Sequence, residues 1–163
     1  MVIITCAMSK EIRIILVSDN HGLREPLAWL QQQYHDYDAF LHCGDSELPA
    51  SMMAGFASVQ GNNDAYGVYP LHRIIDLGKH HILLTHGHRD FFFGRYDMLA
   101  KLAKQNGCDL VCFGHTHIPF DDTIEGIRLL NPGSIWHNRD GSRSSYMRVI
   151  LDGKKIEAHL ERY

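Results

Sequence analysis

Short aliphatic runs alternate with polar stretches through the first two thirds of the chain, and most runs end in a turn containing glycine. Ile12–Val17 is almost unbroken, as expected of a central strand covered on both faces. Leu23, Leu27, Leu30 and Tyr34 then recur at helical spacing, and Pro26 falls in the first turn, where its missing N–H does no harm. Ala39–Leu41, Phe56–Val59, Ile82–Leu84 and Leu110–Phe113 are further short strands. Arg95–Asn106 predicts a second helix, with Tyr96, Leu99, Ala100 and Ala103 as its inner stripe and Gly107 stopping it. A shorter helix is expected over Ser46–Ala54. The last third changes character: Ile118–Ile124, Ile127–Leu130, Ser145–Leu151 and Lys155–Leu160 read as strands, with turns at Glu125-Gly126 and Asp152-Gly153. Strand–helix alternation followed by antiparallel hairpins predicts an α/β fold in which two sheets pack together with helices outside.

There is no internal repeat, low-complexity tract or linker, so residues 1–163 read as one domain. The first seven residues, ahead of the second methionine Met8, are either an N-terminal extension or an extra edge strand. A net charge of -3 argues against a surface for sequence-independent nucleic-acid binding. The longest apolar stretch is too short to span a bilayer. Met1–Ala7 lacks the basic start and long apolar core of a secretory signal, so a cytoplasmic location is expected. Cys108 and Cys112 straddle a strand, where they would not form a zinc knuckle. With Cys6 and Cys43 they are expected to be free, buried thiols.

The chemistry lies where the apolar runs end. They lead into Ser18-Asp19-Asn20-His21-Gly22, His42-Cys43-Gly44-Asp45, Gln60-Gly61-Asn62-Asn63-Asp64, Thr85-His86-Gly87-His88 and Gly114-His115-Thr116-His117. Ligands of open α/β sheets sit outside the carboxyl ends of the strands. Asp19, His21, Asp45, Asn62, His86, His115 and His117 would therefore gather in one place, with enough ligands for two metal ions. Asp45 is the candidate bridge, since a carboxylate has two oxygens and Gly44 allows a sharp turn before it. Asp19 and His21, at i and i+2, would face one ion if the chain stays extended. His115 and His117 could split between the ions. A mixed N and O set without thiolate suits Mn, Fe, Co, Ni or Zn better than Ca or Mg alone, with Mn the first choice. Two divalent ions offset by Asp19, Asp45 and a bridging hydroxide leave one net positive charge, which favours a phosphate ester. No Gly-x-Ser-x-Gly elbow or P-loop offers a rival chemistry.

Other residues near these motifs have two readings each. His88 either contacts the phosphate or leaving group or only hydrogen-bonds nearby. Asp64 orients a neighbour or closes an Asx turn. His42 is expected to be a packed strand residue, and His72, His80, His81 and His137 to be surface or satisfied core histidines. Phe91-Phe92-Phe93 favours core packing over an apolar rim. Asn131-Pro132-Gly133-Ser134 is expected to make a tight turn beside the site.

Asp-x-His, Gly-Asp, Gly-Asn-x-Asp, His-Gly-His and Gly-His-Thr-His, in this order, resemble the calcineurin-like metallophosphoesterases. The Gly61-Asn62-Asn63-Asp64 variant, the short length and the later Asn131-Pro132-Gly133-Ser134 are similar to the small YfcE-like phosphodiesterase branch. The resemblance runs from Ile12 to about Leu160. It implies an αββα sandwich of two mixed β-sheets with metals at one edge. Asp19, His21, Asp45 and His117 would hold one ion, and Asp45, Asn62, His86 and His115 the other. It implies a dinuclear phosphodiesterase that uses a metal-bridging hydroxide as nucleophile, with Asp45, Asn62 and His88 as the catalytic candidates. Many members of the wider superfamily carry a histidine where Asn63 stands, so a histidine general acid is excluded at that position. A phosphomonoesterase or phosphoprotein phosphatase would use the same metals. A non-catalytic scaffold, as in a eukaryotic trafficking subunit similar in fold, would not need all seven ligands, yet all seven are present. Self-association is left open.

Overall fold

The computed structural model describes residues 10–163. The question of an N-terminal extension or extra strand, and the state of Cys6, fall outside the described residues. Twelve regular elements follow in order: β1 (Ile12–Val17), α1 (Glu25–Gln33), β2 (Ala39–His42), β3 (Ala57–Ser58), β4 (His72–Leu77), β5 (His80–Thr85), α2 (Tyr96–Gln105), β6 (Leu110–Cys112), β7 (Phe120–Ile124), β8 (Ile127–Asn131), β9 (Ser145–Asp152) and β10 (Lys155–Arg162). They form two five-stranded sheets, β10-β9-β1-β2-β3 and β4-β5-β6-β8-β7. Each sheet is mixed. β1, β2 and β3 run parallel while β9 is antiparallel to β1 and β10. In the second sheet β5, β6 and β8 run parallel, with β4 and β7 antiparallel at the edges.

The two-residue period of a strand explains the layering. Ile14 and Leu16 of β1, Ile82 and Leu84 of β5, and Leu110 and Cys112 of β6 share one buried cluster between the sheets. The intervening Ile15 and Val17 pack with Leu27 and Leu30 of α1. Leu83 and Val111 pack with Leu99, Ala100 and Ala103 of α2. Each central strand is thus buried on both faces, which is why it reads as an unbroken aliphatic run. The result is the αββα sandwich, with the carboxyl ends of β1, β2, β3, β5 and β6 at one edge.

Three local expectations need correction. The helix over Ser46–Ala54 is only a single 3-10 turn at Ala50–Met52. Pro49 lies in extended backbone and biases Leu48 away from helix. Glu47 has a φ of 53°, and Asp64 accepts the Glu47 amide at 2.7 Å. The edge strand β4 is not expected from the sequence: it is largely exposed, with Ile74 facing solvent, and is held by its pairing with β5. Of the three phenylalanines only Phe91 is core; Phe92 and Phe93 are 75% and 74% exposed. Cys43, Cys108 and Cys112 are free and buried as expected.

Candidate metal centre

The loops after β1 and β2 run side by side and carry the two carboxylates. The amide of Asp19 donates to the Gly44 carbonyl at 3.1 Å, and that of His21 to the Asp45 carbonyl at 3.1 Å. Neither stretch is extended, contrary to the i, i+2 argument: Asp19, His21 and Asp45 have φ of 55°, 44° and 54°. Left-handed backbone is uncommon for non-glycine residues, though Asp and His adopt it more readily than most, and three cases in two adjoining loops show that the surrounding structure holds it. Asp64 does much of this. Its Oδ2 accepts the amides of Asp45 (2.9 Å) and Gly61 (2.8 Å), and its Oδ1 accepts the Glu47 amide (2.7 Å) and the Ser46 hydroxyl (3.3 Å). One buried carboxylate therefore staples the loop after β2 to the loop after β3. The close approach also fixes Gly61, because a side chain there would run into Asp45.

All seven candidate ligands converge at this edge. Nδ1 of His86 donates to the Cys43 carbonyl at 2.7 Å, and Nδ1 of His117 to the His137 carbonyl at 3.0 Å. A ring nitrogen facing a carbonyl carries its hydrogen, so in the neutral ring Nε2 is a bare acceptor. The Nε2 of His117 nevertheless lies 3.1 Å from Asp19 Oδ1 and 3.1 Å from Nε2 of His21. The Nε2 of His86 lies 3.0 Å from Asn62 Oδ1 and 3.4 Å from Asp45 Oδ2. Nδ1 of His115 approaches the same Asn62 oxygen at 3.0 Å. His115 and His117 thus diverge to different sides of the cluster, as their spacing allows. Ligand atoms of Asp19, His21 and His117 lie within 4.8 Å of one another, and so do those of Asp19, Asp45 and His86.

This convergence of acceptors is the test of fit for a cation. Asp19 Oδ1 is buried and has no hydrogen-bond partner, an arrangement that is costly unless something positive meets it. Burial raises the pKa of Asp19, but His117, His86 and Ser18 more than reverse this and hold it below the usual carboxylate range. Burial opposes ionisation of Asp45 too, and His86 and Asn63 again win, so its carboxyl is depressed. For His86, burial disfavours charge, yet Asp45 and Asp19 hold its pKa above that of an ordinary histidine. The pocket pulls positive charge inward, and an all-N/O donor set matches a borderline divalent ion.

Several neighbours contact the candidate ligands or the loops that carry them. The Ser18 hydroxyl donates to Asp19 Oδ2 at 2.5 Å, and the His115 amide to the same oxygen at 3.2 Å. Ser134 donates its hydroxyl to the Asp19 carbonyl at 2.8 Å, so the Asn131–Ser134 turn is indeed structural support. His42, buried in β2, accepts the Gly44 amide on Nδ1 and donates through Nε2 to Asn20, and burial lowers its pKa to about 4. Asn63 commits both its amide and its side chain to Asp45, each at 2.7 Å. His88 sits beside the centre, its ring centroid 5.3 Å from that of His86, with Nδ1 buried and unpartnered. Sequence reasoning missed Ser18, the His137 carbonyl and above all Glu47, whose Oε1 lies 2.6 Å from His21 Nδ1. An acidic residue two places after Asp45 was the available signal for Glu47.

The fold and site have known counterparts. Residues 12–154 match the family model of the calcineurin-like phosphoesterase superfamily domain. A Bacillus subtilis protein named probable metallophosphoesterase YsnB is 33% identical over 144 residues, covering 86% of this chain and 85% of its own. A conserved Streptococcus pneumoniae protein described as a predicted phosphoesterase superimposes with a TM-score of 0.88 at 30% identity, covering 94% of this chain and 91% of its own. An archaeal phosphodiesterase shares the fold, with a TM-score of 0.69 at 19% identity over 92% of this chain and 100% of its own. The chain belongs to the calcineurin-like phosphoesterase superfamily, and this membership supports a metal-binding phosphoester hydrolase.

Proposed function

We propose that this chain is a dinuclear metal-dependent phosphodiesterase. The observation that carries this reading is the gathering of carboxylate oxygens and imidazole nitrogens around Asp19 Oδ1, which is buried and unpartnered. Asp19, His21, Asp45 and His117 would hold one divalent ion, and Asp45, Asn62, His86 and His115 the other. Asp45 Oδ2 supports the bridging role, lying 3.4 Å from His86 Nε2 and 4.0 Å from His21 Nε2. Manganese is the first choice for the ions, with Zn, Fe, Ni or Co also suited to the donors. When bound, a pair of such ions makes water a competent nucleophile at neutral pH and draws charge from the phosphoryl oxygens.

The chain's own residues set the substrate preference. Asn63 cannot deliver a proton, and its amide is already spent on Asp45. His88, half-buried beside His86, is the nearby ring available to hydrogen-bond a phosphoryl or leaving oxygen, through an atom other than its buried Nδ1. Leaving groups that are stable anions need little help, whereas alkoxides need a general acid. The site therefore favours diesters with good leaving groups over monoesters. The test is hydrolysis of bis-p-nitrophenyl phosphate by chelator-treated protein with and without added divalent metal. Activity should require the metal and exceed that on p-nitrophenyl phosphate. Full activity in protein shown metal-free by elemental analysis, or faster cleavage of alkyl monoesters than aryl diesters, would overturn the reading.

A further inference from the structure

The three histidines that turn Nε2 toward the centre are held from behind in two different ways. His86 and His117 rest on main-chain carbonyls, those of Cys43 and His137. His21 alone rests on a side chain, with Glu47 Oε1 2.6 Å from its Nδ1. Glu47 is itself an improbable residue for its position. Its φ of 53° is left-handed, and its amide is tied to Asp64 at 2.7 Å. Its carboxylate makes no other hydrogen bond or ion pair among the described residues. It is also partly exposed, at 37% of its side chain, while His21 is 15% exposed. A strained residue whose only side-chain partner is one imidazole points to that imidazole as the reason for its placement.

The consequence is tautomeric. A carboxylate facing Nδ1 accepts the ring hydrogen there and leaves the Nε2 lone pair directed at Asp19 Oδ1, 3.8 Å away, and at His117. A charge-assisted bond of this kind is stronger than one to a neutral carbonyl, which suits a ring that water can also reach. We infer that Glu47 is a positioning residue of the metal centre, fixing the tautomer and orientation of His21 so that the ion shared with Asp19 and His117 is retained. This rests on the metal-centre part of the proposed function and not on the choice of substrate.

The test is calorimetric titration of metal-free wild type, Glu47→Ala and Glu47→Gln with Mn2+ alone, together with long-range 1H–15N NMR of the histidines in the metal-free and Zn2+-loaded proteins. Wild type should take up two ions, with His21 in the Nδ1–H tautomer before metal is added. Glu47→Ala should weaken one of the two binding steps about 10–100-fold, as for other residues that orient a ligand, and leave the other unchanged. Its His21 should lose the single tautomer. Glu47→Gln keeps an acceptor oxygen without the charge, and should recover part of the affinity and most of the tautomer. The inference fails if Glu47→Ala binds both ions as wild type does. It fails equally if both steps weaken together with a lowered melting temperature of the metal-free protein, which would make Glu47 a builder of the loop. Uptake of a single ion by wild type, in the His86 half, would also overturn it. Two-ion uptake without phosphoester hydrolysis would remove the proposed function, while the three titrations still decide the role of Glu47.

Discussion

The middles of the strands and their carboxyl ends obey opposite rules. Ile14, Ile15, Leu16 and Val17 are at most 1% exposed, alternate regularly between two apolar layers, and sit in ordinary extended backbone. A few residues on, the chain breaks local preference repeatedly. Asp19, His21, Asp45, Glu47, His115 and His117 are six of the seven non-glycine residues with positive φ among the described residues. Each such residue costs on the order of 1–3 kcal/mol. The difference shows a division of labour: the strand interiors stabilise the fold, and the strand ends are held in strained backbone that aims donors at one point.

The sharpest way to break this comparison is at Asp45. Asp45→Asn removes a charge and an oxygen of the proposed bridging ligand, and the proposed phosphodiesterase activity should fall by at least about 100-fold. The metal-free variant should melt somewhat below metal-free wild type, though by less than a core truncation, because His86 and Asn63 outweigh burial and favour the ionised carboxylate of the folded state. The exposed control His81→Ala, on the surface beside Asp76, should keep full activity. Similar rates for the two variants would place the centre elsewhere. Leu16→Ala should do the reverse. Truncation in the layer between the sheets should cost about 2–5 kcal/mol by denaturant unfolding, with activity per folded molecule retained. A variant that loses activity while keeping its stability would show that the core and the site are not separable.

The smallest expected effect is at the seventh strained residue. Glu125, with φ of 50°, shares a tight turn with Gly126 between β7 and β8, separated from the candidate ligand His117 by the length of β7. Asn is the preferred residue there. Glu125→Asn gives up an exposed pair with Lys104 at 2.8 Å, which is worth little. It should stabilise the protein by up to about 1 kcal/mol without changing turnover. The same gain from Glu47→Asn, accompanied by unchanged metal binding, would erase the distinction between strain in a turn and strain at the centre.

Most of the fold was legible because burial on both faces leaves a plain mark. β1, β5 and β6 read as aliphatic runs, and α1 and α2 as helical stripes, since each packs directly on a neighbour that demands that pattern. β4 left no such mark: it is an edge strand whose place depends on pairing with β5, not on its own sequence. The missing helix at Ser46–Ala54 has a similar cause, because Asp64, far along the chain, takes the amides that a helix start would need oriented otherwise. At the site, the seven candidate ligands were legible from their positions after apolar runs. The extended-backbone argument for Asp19 and His21 nevertheless brought them together for the wrong reason, since both are left-handed. Glu47, Ser18 and the His137 carbonyl act only where loops meet, and no local pattern announces such a meeting.

The Asp64 staple bears on how the centre would live with changing ion supply. Loops tied by a carboxylate and four donors do not wait for an ion to order them. Binding then involves little folding, so uptake and loss of metal need not be coupled to melting of the edge. Nor does the rigid N/O cradle impose the thiolate softness by which sites reject one first-row metal for another. Occupancy in such a cradle follows the concentrations around it. Among the ions its donors suit, the one bound would accordingly be a property of the cell's metal economy.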